Sequence, residues 1–357
     1  MTNDPRDLSG ARLQTALHQL GRHPQMRASL LALLKRAESQ LDYPGPVRDD
    51  ITGTIADALH DDADTYEKTL ADGTRLKFLY RTKIAREFLL ADDERPTHVW
   101  EPQTTRLLLH LGRDLRGDAL VGGAYFGDQA ILLARGLQRR AGTVHCFEPN
   151  HDQAAMLAHN AELNQLGNVR INRCGLWQTS DARLKLDGFD SFANAVHAEA
   201  GDPQAFSTIS IDDYRAAHRL TLGLLQLDIE GAEFSALQGA RQTLAQDRPH
   251  IVFEVHRDYV DWSRGLAQTD ICRYLAEFGY SIHALRDFNS HREMGSRPIE
   301  LVPIDQVYLD GPAHGFNMVA VMDEADLPAP LFQRVAHVSP KLLAHKDPAL
   351  HHPVGGL

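Results

Sequence analysis

Val121-Gly122-Gly123-Ala124-Tyr125-Phe126-Gly127-Asp128 is the stretch on which the fold turns. A short apolar run, Asp118 to Gly122, precedes it. Asp128 to Arg139 follows, with Ile131, Leu132 and Leu137 at helical spacing. The order is therefore strand, glycine turn, helix. A glycine at the end of a buried strand lets a ligand approach the backbone, and a second one lets the next helix pack closely on the strand. The new helix N-terminus favours a carboxylate or phosphate nearby. Tyr125 and Phe126 stand between the glycines, so the turn is looser than the G-x-G-x-x-G that grips a pyrophosphate. A nucleoside without phosphate suits it better.

Working outward, the same alternation repeats. Thr143 to Phe147 reads as a second strand, Gln153 to Leu166 as a helix, and Asn168 to Arg173 as a third strand. Leu222 to Leu227 is a fourth strand, Phe234 to Leu244 its helix, and His250 to Val255 a fifth strand with no polar alternation, as when both faces are covered. Thr269 to Phe278 is a helix, and Tyr280 to Ala284 and Phe316 to Met322 are late strands. This pattern predicts an α/β fold: a doubly wound, mostly parallel, Rossmann-like sheet. Ahead of it, Ala11 to Ser39 reads as two helices broken near Gly21 and Pro24, Thr74 to Arg81 as a strand, and Lys83 to Leu90 as another helix. Charged Ala91 to Pro96 is the expected linker. The division is a mainly helical N-terminal part over 1–95, a cofactor domain over 96–325 and a Pro/His-rich tail over 326–357. Gln178 to Ala205 is expected to be a long polar loop able to close over a substrate.

The second strand ends in Phe147-Glu148-Pro149-Asn150. An acid at this point, about two dozen residues after the first loop glycine, grips a ribose by accepting both hydroxyl protons. Three more strings stand at later strand ends: Thr208-Ile209-Ser210-Ile211-Asp212-Asp213, Leu227-Asp228-Ile229-Glu230-Gly231-Ala232-Glu233 and Phe253-Glu254-Val255-His256. Together with the glycine loop, and in this order over roughly Leu120 to Val321, they resemble the FkbM-type methyltransferases. The resemblance implies a class I methyltransferase fold, S-adenosylmethionine as methyl donor, and O-methylation of a sugar unit or other small natural product. It implies that Gly123, Gly127 and Glu148 line the cofactor site, with Asp228 near the methionine end. Ala124, Tyr125 and Asp128 in the loop, Pro149 and Asn150 beside Glu148, and Cys174 and Gly175 at the third strand exit complete the expected contacts. The family usually carries an acid two positions before the first loop glycine. Val121 stands there instead, which leaves Asp228 more of that work.

Neighbouring strand exits should bring Asp228, Glu230 and Glu233 toward Glu254 and His256. His256 is the expected general base, being neutral at pH 7 and still basic. Glu254 is the expected orienter, while Glu230 and Glu233 can equally serve a helix N-terminus. Such a cluster also suits a divalent cation, but no ligand spacing is recognisable and no metal is expected. A nicotinamide-type oxidoreductase is the alternative on this fold, disfavoured by the loop. A non-catalytic cofactor-binding scaffold is a third reading, kept open by Val121.

Formal net charge is −11 and the sequence pI about 5.9. That balance disfavours nucleic acid and anionic membranes as partners and leaves a small-molecule acceptor, with a homo-oligomer possible. Cys146, Cys174 and Cys272 form no metal or disulfide spacing and read as reduced thiols. With a polar N-terminus and no apolar run near 20 residues, they suggest a cytoplasmic protein. His197 and His218 read as surface residues, and the His-rich stretch His345 to His352 matches no zinc spacing.

Overall fold

The structure is a computed structural model and describes residues 10–188, 194–199, 201–309 and 315–342. Helices α1 (Gly10–Gly21) and α2 (Pro24–Glu38) part at Gly21, where a Cβ would lie 2.0 Å from the Leu59 carbonyl oxygen. A π-helical turn, Arg48–Thr52, runs into α3 (Gly53–Ala58). Strands β1 (Thr65–Thr69) and β2 (Arg75–Leu79) form an antiparallel hairpin, followed by α4 (Lys83–Leu89). The expected strand is β2. Its partner β1 is half-exposed and mostly polar, so hydrophobic alternation could not reveal it; the Asp72-Gly73 turn was the available signal. The stretch expected as a linker is held in place, with Ala71 N donating to Pro96 O (2.9 Å) and Lys35 Nζ to Ala91 O (2.6 Å).

Helix α5 (Pro102–Arg113) was not anticipated. It buries Leu107, Leu108 and Leu111, and its first turn is capped from far along the chain. Asp287 accepts from Gln103 N (3.1 Å), Thr104 N (2.7 Å) and Thr104 Oγ1 (2.9 Å). The repeating unit follows: β3 (Asp118–Gly122), α6 (Ala130–Gln138), β4 (Val144–Phe147), α7 (His151–Leu163) and β5 (Val169–Asn172). Next come β6 (Gly175–Leu176), β7 (Arg183–Asp187), β8 (Asn194–His197), β9 (Phe206–Ile209), α8 (Ile211–His218) and β10 (Leu222–Leu227). Then α9 (Glu233–Gln238), α10 (Arg241–Gln246), β11 (His250–Val255), α11 (Asp270–Glu277), β12 (Ser281–Leu285), β13 (Ile299–Pro303), β14 (Phe316–Val321) and β15 (Phe332–Arg334) complete it.

The large sheet has the order β15-β13-β12-β14-β11-β10-β3-β4-β5. Strands β5, β4, β3, β10 and β11 run parallel, and β14 enters antiparallel between β11 and β12. Apolar residues on both faces bury it, and β14 is buried at every position. This is a doubly wound, mostly parallel, Rossmann-like sheet. The order reverses between β3 and β10, and ligands bind beyond the carboxyl ends of strands at such a switch.

Three expectations change. The helix expected over Phe234 to Leu244 divides at Gly239, where a Cβ would lie 2.3 Å from the Trp177 carbonyl oxygen and the chain must bend aside. The expected loop from Gln178 to Ala205 holds β7 and β8, which join β9 and β6 in a four-stranded sheet. Leu184 and Leu186 alternate there with Arg183, Lys185 and Asp187, a period-2 pattern that the polar composition obscured. Residues from Asp326 on, expected as tail, add β15 in parallel to β13 and bury Lys341 and Leu342. His345 to His352 lies outside the described residues. Among those described, no helix is long and apolar enough to cross a membrane. All three cysteines are free thiols, and burial pushes Cys174 up to about 11.

Candidate active site

A pocket opens where β3, β4, β10 and β11 end. Gly123 forms its floor with φ 71°, and a Cβ there would stand 1.7 Å from the Asp228 carbonyl oxygen. Only glycine lets the β3 and β10 exits meet this closely. Gly127 serves packing instead: its Cβ would meet Leu157 and Ile131 at 2.5 and 2.8 Å. Gly127 and Ala124 are not in the pocket wall, whereas Gly123, Tyr125, Asp128, Glu148, Pro149, Asn150, Cys174, Gly175 and Asp228 are.

Glu148 is 7% exposed and pinned at both oxygens. Tyr125 N donates to Oε2 and Asn150 N to Oε1, each at 2.8 Å. Asn150 in turn caps α7, its Oδ1 accepting from Asp152 N (3.0 Å) and Gln153 N (3.2 Å). The sequence Glu-Pro-Asn thus orients its own acid: the asparagine starts the helix, and the chain reversal turns an amide back onto the carboxylate.

Opposite lies an acidic face. Carboxylate oxygens of Asp228, Glu230 and Glu254 come within 4.8 Å of one another, close enough to share one cation. Glu101 joins them in the wall; sequence reasoning missed it because α5 itself went unseen. Glu101 Oε2 accepts from Asn317 Nδ2 at 2.7 Å. Glu101, Tyr125 and Glu230 have left-handed φ of 46°, 47° and 50°, a conformation that costs non-glycine residues of order 1–3 kcal/mol and gathers at functional sites. Glu233 turns away, its oxygens accepting from Ile229 N (2.8 Å) and Gly231 N (3.1 Å) at the start of α9. It therefore folds the loop that presents Glu230.

His256 stands beside the pocket and not in its wall. It lies one residue past β11, where strand register no longer fixes side-chain direction. Its Nδ1 accepts from Asp258 N (3.1 Å), and burial lowers its pKa. Two further wall residues, Gln226 and Asn289, carry buried side-chain oxygens without partners among the described residues. Such atoms in a wall call for a ligand or water.

Burial and mutual repulsion raise the acids. Glu254 and Glu101 are held well above the carboxylate range, by desolvation first and then by neighbouring carboxylates. Burial, then Asp228, raises Asp128 to about 7. Its unfolded value is about 3.9. A group whose folded value is raised contributes stability that is full below the unfolded value and lost as pH rises through the folded one. Asp128→Asn should therefore come nearest the parent's melting temperature below about pH 4 and exceed it by about 3 °C or more near about pH 8. The comparison cancels the buried histidines, whose lowered values act in the opposite sense. A difference that stays constant with pH would show that Asp128 is ionised throughout.

Residues 122–282 match the family model of the methyltransferase FkbM domain. Among solved structures, methyltransferase FkbM from Methylobacillus flagellatus KT is similar at 16% identity, over 57% of this chain and 43% of that one, with TM-score 0.33. The SAM dependent methyltransferase from Agrobacterium tumefaciens is similar at 10% identity over 73% and 70%, TM-score 0.39. The Pyrococcus abyssi tRNA (uracil-54, C5)-methyltransferase, solved with S-adenosyl-L-homocysteine, is similar at 13% over 72% and 43%, TM-score 0.32. The chain thus spans less than half the length of the first and third of these. No curated protein matches it. The glycine turn and the strand order lie in and around the segment, residues 122–282, that matches the methyltransferase FkbM domain.

Proposed function

We propose that the chain moves the methyl group of S-adenosylmethionine to a hydroxyl of a small, uncharged or cationic acceptor. The observation that carries this reading is the pairing, in one pocket, of a pinned Glu148 with the acidic face of Glu101, Asp228, Glu230 and Glu254. When bound, S-adenosylmethionine supplies an electrophilic methyl on a sulfonium. The residues fit such a molecule: Gly123 leaves the floor open, Gln226 and Asn289 offer unpaired oxygens, and the face is negative where a sulfonium and amino group are positive. Glu148 would accept the ribose hydroxyls. Asp228 would hold the amino end. Glu254 would accept the acceptor's proton, since it lies in the wall and His256 does not. Leu184, Leu186, Ala195 and Phe206 from the small sheet supply an apolar side that excludes water.

The acceptor class follows from charge. No lysine or arginine lines the described wall, so a phosphate-bearing acceptor such as nucleic acid, or a nicotinamide dinucleotide, meets repulsion there. Calorimetry with S-adenosylhomocysteine tests the cofactor half. Glu148→Gln should weaken binding by about 2 kcal/mol, the contribution of hydrogen bonds to a charged group. Ala also strands two buried amide donors, so the melting temperature is read alongside. Unchanged affinity with an intact fold removes Glu148 from the site.

A further inference from the structure

Lys341 is 5% exposed, on a segment the composition marks as tail. Its backbone is fixed. Asp287 N donates to Pro340 O (2.9 Å), Leu342 N to Asp287 O (2.8 Å), and Arg286 Nε to Ser339 O (3.0 Å). Leu342 packs with Phe288 and Met294. Among the described residues no carboxylate closes a direct ion pair with the ammonium, yet its charge acts on Glu101, Glu254, Asp287, Asp228 and His256. Asp287 is already spent on the start of α5. Lys83 on α4 is the opposing cation, and Glu230 and Glu233 complete the charges around Asp228.

A buried ammonium costs several kcal/mol unless compensated. This one is buried beside Asp287, the aspartate that caps the helix opening at Glu101, so its segment packs next to the acidic face. We propose that Lys341 is a positioning residue: its ammonium is the resident counter-cation of the Glu101, Asp228 and Glu254 face, standing in for a divalent ion. The role of that face rests on the transferase reading, but its charge balance does not. Burial lowers Lys341 to about 8, which keeps it mostly protonated at neutral pH.

The test titrates Mn2+ alone into the full chain by calorimetry, near neutral pH. Compared are the parent, Lys341→Arg, Lys341→Met, Lys341→Gln and the double variant Lys341→Met/Glu254→Gln. Parent and Arg should bind weakly. Met and Gln should bind about 10-fold tighter or more, since a buried unit repulsion has gone, and the double variant should lose the gain. Equal Mn2+ affinity in the parent and in whichever of Met or Gln stays folded overturns the proposal. S-adenosylhomocysteine is titrated in parallel. Failure of the parent to bind it overturns the transferase reading, while the Mn2+ comparison still decides the role of Lys341.

Discussion

Glu254→Gln should lower methyl transfer about 10²–10⁴-fold, the span of a general base, while S-adenosylhomocysteine binding stays largely intact. Glu254 lines the pocket beside Asp228 and Glu230. Gln preserves its shape and removes its basicity. The measurement is labelled-methyl transfer to a panel of hydroxylated small molecules, screened first with the parent. His256→Ala should cost about 10-fold or less on the same substrate, because a group outside the wall donates no general-base contribution. If the two variants exchange these outcomes, His256 is the base and Glu254 its support. The pH profile gives a second readout. A base works unprotonated, so its rate falls as pH drops through its folded pKa. Burial and neighbouring acids raise that value, so the acid limb should lie above the usual carboxylate range. Asp228→Asn removes one repelling neighbour and should move the limb toward lower pH.

The second large effect is expected at Gly123. Alanine there meets the Asp228 carbonyl oxygen at 1.7 Å and must hold φ 71°. The β3 and β10 exits must part, and Asp228 moves with them. Backbone strain of about 1–3 kcal/mol adds to an overpacking cost of similar size. S-adenosylhomocysteine affinity should drop about 100-fold or more, with a lower melting temperature. Gly136→Ala is the matched control: inside α6, nothing lies within 4 Å of its Cβ, so it should gain about 1 kcal/mol of stability. If Gly123→Ala binds like the parent, the strand exits are more pliable than this packing implies.

The centre of the sheet was legible because its strands are apolar on both faces. Leu222–Leu227 and His250–Val255 were bounded from sequence as the structure has them. Elements with one wet face were harder: β7 carries charges at alternate positions, β1 and β8 are short and rich in polar residues, and all three read as loop. In the site, Gly123, Glu148, Asp228 and Glu254 were legible because each follows a buried strand. Glu101 and Lys341 were not. One is fixed by a helix whose cap, Asp287, lies far along the chain, and the other by a segment that gains its place only against that same aspartate. No local pattern encodes such long-range company.

The position of β14 has a consequence for what counts as the smallest foldable piece. It is late in the chain, yet it supplies the hydrogen-bonding partner for both β11 and β12. The segment recognised by family, 122–282, stops within β12 and short of β14. A polypeptide cut to that segment would present the flank of β11 as a bare apolar edge, the template on which chains stick to one another. The stretch by which the domain is recognised is therefore shorter than the stretch that can fold, and the sheet cannot close until the polypeptide has reached Val321.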